Sequence, residues 1–207
     1  MTARIRGPLR LLTAVALCFA ILVPAGFAAS QDDAVKFLRK LCDEAVDLAQ
    51  SGQKSPEERE AKLRDLLEAG FDVGLIGRFV LGRYWNTASE EQRDEYMRLF
   101  KDMIILTFAR RFQDYNGETF EITGTNQRGE NDYFVNSVIN RPSSPDVKVD
   151  WRVRCTSQCR IIDVVAEGIS QVQTYRSEYG AIIQNGGGSV NSLLDALRNH
   201  VNQLEAG

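Results

Sequence analysis

Asp163 and Glu167 are the carboxylates whose spacing could support acid–base work, standing four residues apart around the end of a strand-like run. A catalytic pair needs environments that push the two acids apart, so that one keeps a proton and the other does not. The competing reading is structural: such residues cap the helix that follows or pair with an arginine such as Arg176. Nucleophilic chemistry lacks its base. His200 is the only histidine and lies near the C-terminus, too isolated to serve a Ser–His or Cys–His pair. Gly168-Ile-Ser170 has half the outline of a nucleophile elbow, but Val172 stands where the second glycine belongs. Gly186 to Gly188 is followed by no lysine, which a phosphate-cradling loop requires. No catalytic residue is therefore assigned; a small cleft enzyme built on Asp163 is the rival reading.

The cysteines carry the remaining chemistry. Cys155 and Cys159 enclose Thr-Ser-Gln between two strand-like runs. Two thiols without a nearby histidine or further cysteine make a poor zinc site, and a disulfide across the base of a hairpin loop is the preferred reading in an oxidising compartment. Cys42 falls on the apolar face of a helix and reads as a buried free thiol. No metal and no cofactor is expected.

The elements that hold these residues follow from hydrophobic period. Ala34, Leu38, Leu41, Ala45 and Leu48 form a stripe over a helix from Asp32 to Ser51. Ser55, Pro56 and Glu58 mark the start of a second helix, with a capping box, and Gly70 ends it. Asp72 caps a third helix carrying Val73, Ile76, Phe79 and Val80. Ser89 opens a fourth that runs to about Tyr115. Its large residues, among them Tyr96, Phe100, Met103, Ile104, Ile105 and Phe108, spread beyond one stripe. A central buried helix explains that spread; so does a helix with one flank on the core and the other on a cavity.

From Phe120 the period becomes two. Strands are read at Phe120–Ile122, Asp132–Asn140, Val147–Arg154 and Ile161–Ala166, and their short connections make the sheet antiparallel. Two helices close the chain, the last capped by Ser189. The fold class is α+β: a curved antiparallel sheet of about four strands, covered on one face by about six helices, cystatin- or NTF2-like.

Residues 1–28 read as a secretory signal. Arg4, Arg6 and Arg10 precede an apolar stretch from Leu11 to Val23, and small residues follow. That stretch, ~13 residues, is short for a hydrocarbon core of ~30 Å, though a retained anchor is the alternative. A lipidated Cys18 is disfavoured by the bulk of Leu17 before it. Residues 29–207 then form one domain in the periplasm. Cleavage takes three arginines and no acid, so the formal net charge of −3 becomes −6. An acidic chain is a poor partner for nucleic acid and for lasting attachment to anionic membranes.

Two segments resemble a known family. Phe71-Asp-Val-Gly-Leu-Ile-Gly-Arg-Phe-Val-Leu-Gly-Arg-Tyr-Trp85, then Thr87 to Gln92, and later Asp163-Val-Val-Ala-Glu-Gly-Ile-Ser170 with Thr174-Tyr-Arg176, are similar to the MlaC family of periplasmic lipid-shuttle proteins. The loop holding Cys155 and Cys159 departs from the family's Gly-x-Trp-type turn. The resemblance implies that the helices and sheet enclose the acyl chains of a diacyl phospholipid. Exposing two chains of ~15 methylenes to water costs on the order of 20 kcal/mol, so a carrier must replace membrane burial with protein burial in a hollow of roughly 1,000 Å³. Phe79, Trp85, Phe100, Ile104, Phe108, Val149, Trp151, Val164 and Tyr175 are the expected lining, with ordinary core as the alternative for each. Gly74, Gly77 and Gly82 are the expected flexible points. The implied partners are an outer-membrane lipoprotein–porin complex and an inner-membrane ABC transporter with its membrane-anchored substrate-binding subunit. A hopanoid carrier and a packed, lipid-free protein adaptor are the alternative functions.

Overall fold

A computed structural model of the chain describes residues 30–51 and 55–206. The secretory signal expected over residues 1–28 lies outside them.

The helices begin where local chemistry says they should. Ser30 and Asp33 form a capping box on α1 (Gln31–Gln50), and Ser55 and Glu58 form another on α2 (Pro56–Gly70). Each box satisfies backbone N–H groups that the first turn leaves without partners. Asp72 accepts the Leu75 N–H and starts α3 (Val73–Leu81). A short helix not expected from periodicity, α4 (Tyr84–Thr87), follows Gly82, whose φ of 59° turns the chain in a region that side-chain-bearing residues avoid. Ser89 then precedes α5 (Glu90–Gln113), the long helix.

The sheet is a meander. β1 (Thr119–Gln127), β2 (Asp132–Asn140), β3 (Val147–Cys155), β4 (Cys159–Ala166) and β5 (Ile169–Ser170) pair antiparallel in chain order. β1 is longer than expected because an irregularity between Ile122 and Gly124 lets pairing resume through Gln127. The fifth strand has two residues, too few to leave a periodic signal. Phe71 adds one parallel bridge to Ile161 on β4, tying the chain between α2 and α3 to the sheet. After Gly168 turns at φ 79°, Ser170 caps α6 (Gln171–Asn185), and α7 (Val190–Glu205) closes the fold.

The helices divide their neighbours. α1, α2, α3 and α6 pack on strands, whereas the main partners of α5 are α7, α2 and α3. No helix among the described residues is long and apolar enough to cross a membrane.

Candidate functional site

The apolar interior is built in three parts. α3, α5, α6 and α7 share a cluster around Tyr96, Phe100, Tyr179, Ile183 and Leu193. α1 lies on the sheet through Ala34, Leu38, Tyr133, Val135, Val153 and Ile161. The end of α1, α2 and α5 meet at Leu48, Leu63, Leu67 and Ile105. Between these lie large apolar side chains that are only half-buried. Phe71 packs against all three clusters, while Ile104 and Val73 join the first and third. A close-packed domain of this size ordinarily has one contiguous core.

The nine expected lining residues do not gather around one open hollow. Phe100 is fully buried, held between Tyr96, Tyr175 and Tyr179 with ring centroids 5.7–6.4 Å apart. Burial raises the hydroxyl pKa of all three tyrosines above the ordinary value. Tyr96 finds a partner, donating to the Gly77 carbonyl at 3.0 Å. Phe79 is out on the surface of α3, 42% exposed, under the Arg176 guanidinium. Its residue type and helical phase fitted a core face, but α3 turns that flank outward. Trp85 is half-buried at the edge of the helical cluster and lies under Arg78 and Arg93.

The other six lie on α5, α6 and the sheet. Ile104 and Phe108 lie half-buried on α5 against the α2 cluster, and Tyr175 edges the helical cluster from α6. Trp151 and Val164 are half-buried cross-strand partners on β3 and β4. Val149 is buried two residues from Trp151. Ser137 joins this stretch of sheet: its hydroxyl accepts the Trp151 Nε1–H at 2.9 Å and donates to the Val149 carbonyl at 2.8 Å. Phe71, the side chain that meets all three clusters, was not among the nine. Its place in the motif from Phe71 to Trp85 was the available signal.

Two clefts on the described surface include none of the nine. The smaller, about 380 Å³, lies between α1 and α2 around Leu48 and Leu66. The larger, about 650 Å³, is open and mixed in charge, bounded by α2, α3, α5 and the tip of the β3–β4 hairpin. That tip is stapled, as expected, by a Cys155–Cys159 disulfide with Cα atoms 4.0 Å apart. Cys42 is a free, half-buried thiol, and burial pushes its pKa up to about 12.

The acid pair resolves structurally. Asp163 accepts the Ser170 hydroxyl at 2.7 Å and the Val172 N–H at 3.2 Å, so it supports the start of α6. Glu167 accepts the Lys148 N–H at 2.6 Å. Arg176 binds the Phe79 carbonyl instead of either acid. His200 is exposed on α7. Among the described residues no three metal-binding side chains gather.

Fold and interior define a class: a small α+β protein whose helices cover an antiparallel meander over a divided apolar core. The chain belongs to the MlaC family, whose model, MlaC protein, matches residues 38–199. A curated relative, the intermembrane phospholipid transport system binding protein MlaC of Haemophilus influenzae, is 23% identical over 138 residues, which are 64% of this chain and 63% of the relative. The chain thus matches less than two thirds of that relative's length. Among solved structures, the phospholipid-binding protein from Ralstonia solanacearum in complex with a phospholipid superposes with a TM-score of 0.73 at 21% identity, covering 84% of this chain and 99% of that one.

Proposed function

We propose that the protein is a periplasmic carrier, without catalytic activity, that shelters a diacyl phospholipid between its helical layer and its sheet. The carrying observation is the divided core. Ile104, Phe108, Trp151, Val164 and Tyr175 are large, apolar and only half-covered, and they lie at the margins of the three buried clusters, with Ile104 shared by two of them. The family, and two relatives named for phospholipid transport or binding, supply the chemical class of guest. The full lining proposed for the opened interior is the expected set, with Phe79 and Trp85 at its outer margin and Phe100 exposed to the guest only when the ring cluster shifts. The carrier would exchange cargo with an outer-membrane lipoprotein–porin complex and with an inner-membrane ABC transporter and its membrane-anchored substrate-binding subunit.

The energetics favour this use of the seam. Each methylene taken from water is worth about 0.8 kcal/mol, so half-buried side chains that meet acyl chains gain cover at the same time as the lipid does. Native mass spectrometry and organic extraction of protein purified from a periplasm test the reading. The expected result is one diacyl phospholipid per chain, lost when Phe108 and Val164 are both changed to lysine in a variant that still unfolds cooperatively. A folded wild-type protein without extractable lipid, or one holding a hopanoid, rejects it.

A further inference from the structure

The larger cleft has a composition that the apolar interior does not explain. Its α2–α5 side presents Arg64, Glu68, Arg98, Lys101 and Asp102, and its hairpin side presents Arg154, Arg160 and residues 156–158. Most of these charges are already matched. Arg64 meets Asp102 at 3.0 Å, Lys101 pairs with Glu68, and Arg154 is held by Asp132. Asp72 spends its carboxylate on the cap of α3. Two guanidiniums are held less tightly. Arg98 reaches Glu95 and Asp102 only at 3.8 Å. Arg160 binds the Ala69 carbonyl and has no carboxylate partner among the described residues. Beside them stands the disulfide-closed tip, where Thr156, Ser157 and Gln158 are exposed and their side chains make no hydrogen bond within the described chain. One loosely paired guanidinium and one without a carboxylate, beside three uncommitted polar side chains, suit an anion that offers several oxygens, and arginine's fork fits phosphate oxygens in pairs.

The cleft also touches the interior. Its three large apolar side chains, Phe71, Val73 and Met97, are the same ones that pack against the core clusters, Phe71 against all three. A phosphate in the cleft is therefore one side chain away from the seam. We propose that this cleft is the headgroup subsite of the cargo: Arg98 and Arg160, with the stapled tip 156–158, bind the lipid's phosphate while the acyl chains pass Phe71 into the interior. The assignment rests on the carrier reading above and adds selectivity for a phosphate-bearing lipid over a neutral one.

The test uses the mature protein with mixed detergent micelles containing phosphatidylglycerol and a diacylglycerol with the same chains, read by native mass spectrometry. Hydrogen bonds to charged groups are worth enough that wild type should prefer the phospholipid by about tenfold. Arg98→Gln with Arg160→Gln should lose that preference while taking up diacylglycerol as before, as should Ser157→Glu, which leaves both arginines and the disulfide in place. Unchanged selectivity in both variants overturns the headgroup subsite and leaves the carrier standing. Wild type that takes neither lipid overturns the carrier and, with it, the subsite. Inorganic phosphate supplies the other arm, followed by amide NMR shifts of residues 156–158. Phosphate that moves those signals while lipid selectivity does not depend on Arg98 and Arg160 makes free phosphate the ligand and overturns the headgroup assignment.

Discussion

Asp132 on β2 holds two arginines of β3. It is 8% exposed, and its two oxygens accept Arg154 Nε at 2.6 Å, Arg154 Nη2 at 2.9 Å and Arg152 Nη2 at 2.8 Å. The Arg154 hydrogen bond, aided by Arg152 and opposed by burial, holds its carboxyl below the usual range. Both arginines are more than a third exposed, which limits the gain to the scale of a charge-assisted hydrogen bond. Asp132→Asn should therefore lower stability by about 1–3 kcal/mol in urea unfolding at pH 7. The pH sign follows from the lowered pKa. The contribution is complete above the unfolded value of about 3.9 and disappears as pH falls through the folded one, so the variant should lack that part of the acid loss. A wild type whose stability is flat across the acid range would contradict it. Cys42 gives a second residue-scale outcome. A pKa near 12 leaves about one thiolate in 10⁴ molecules at pH 8. Iodoacetamide should modify Cys42 only after denaturation, by intact mass; rapid labelling of the folded protein would show an open site there.

At the scale of elements, the β3–β4 hairpin is the clearest test. Its disulfide closes a loop with a sequence separation of 4, and chain-entropy bookkeeping for about five residues gives about 2 kcal/mol. Replacing Cys155 and Cys159 by serine should cost about that much in Tm-derived stability, and a change near zero would mean that hydrogen bonds alone hold the tip. This hairpin was legible from sequence because two thiols bracketed a loop between alternating runs. So were α1, α2, α6, α7 and three of the strands, where the hydrophobic period agreed with the burial they finally receive, although Ser189, expected to cap α7, makes no side-chain cap bond. Less was legible where tertiary placement decides. β5 and α4 are too short for a period to register. Phe79 carried the phase of a core residue, yet what it meets is Arg176 on the neighbouring helix. Phe100 and Tyr175 were recognisable as interior, but whether an interior aromatic lines a hollow or locks into other rings depends on partners 75 or more residues away, such as Tyr179 against Phe100. The cleft was illegible for the same reason, since residues from α2, α5 and the hairpin become neighbours only after Phe71 is stitched to Ile161.

At the scale of the molecule, the buried residues group into a helical body and a sheet body. One is helical: α5 and α7 are joined by Arg198, which donates to both oxygens of Glu95 at 2.6 and 2.9 Å, and by Arg110, which binds the carbonyls of Gln203 and Leu204. α3 is drawn close to α5 because Gly77 has no side chain; a Cβ there would lie 2.6 Å from Met97 Sδ, so this glycine serves close packing. The other body is the sheet with α1 across it. α2, α3, α6, the end of α1 at Leu48 and the strip around Phe71 connect them. If lipid enters by parting these bodies, a bridge across the open cleft should stop exchange without touching the interior. Lys101 on α5 and Ser157 on the hairpin tip face that cleft from opposite bodies. Both changed to cysteine and joined by a bismaleimide, they should leave loaded protein still holding its lipid but unable to trade it with vesicles, followed by transfer of a labelled phospholipid. Transfer by the same variant before cross-linking sets the reference rate, which separates the bridge from the substitutions. Restraint of this kind leaves only release of the chains through water, opposed by on the order of 20 kcal/mol. Undiminished transfer by the bridged protein would mean that the helical body stays on the sheet and lipid leaves by another route.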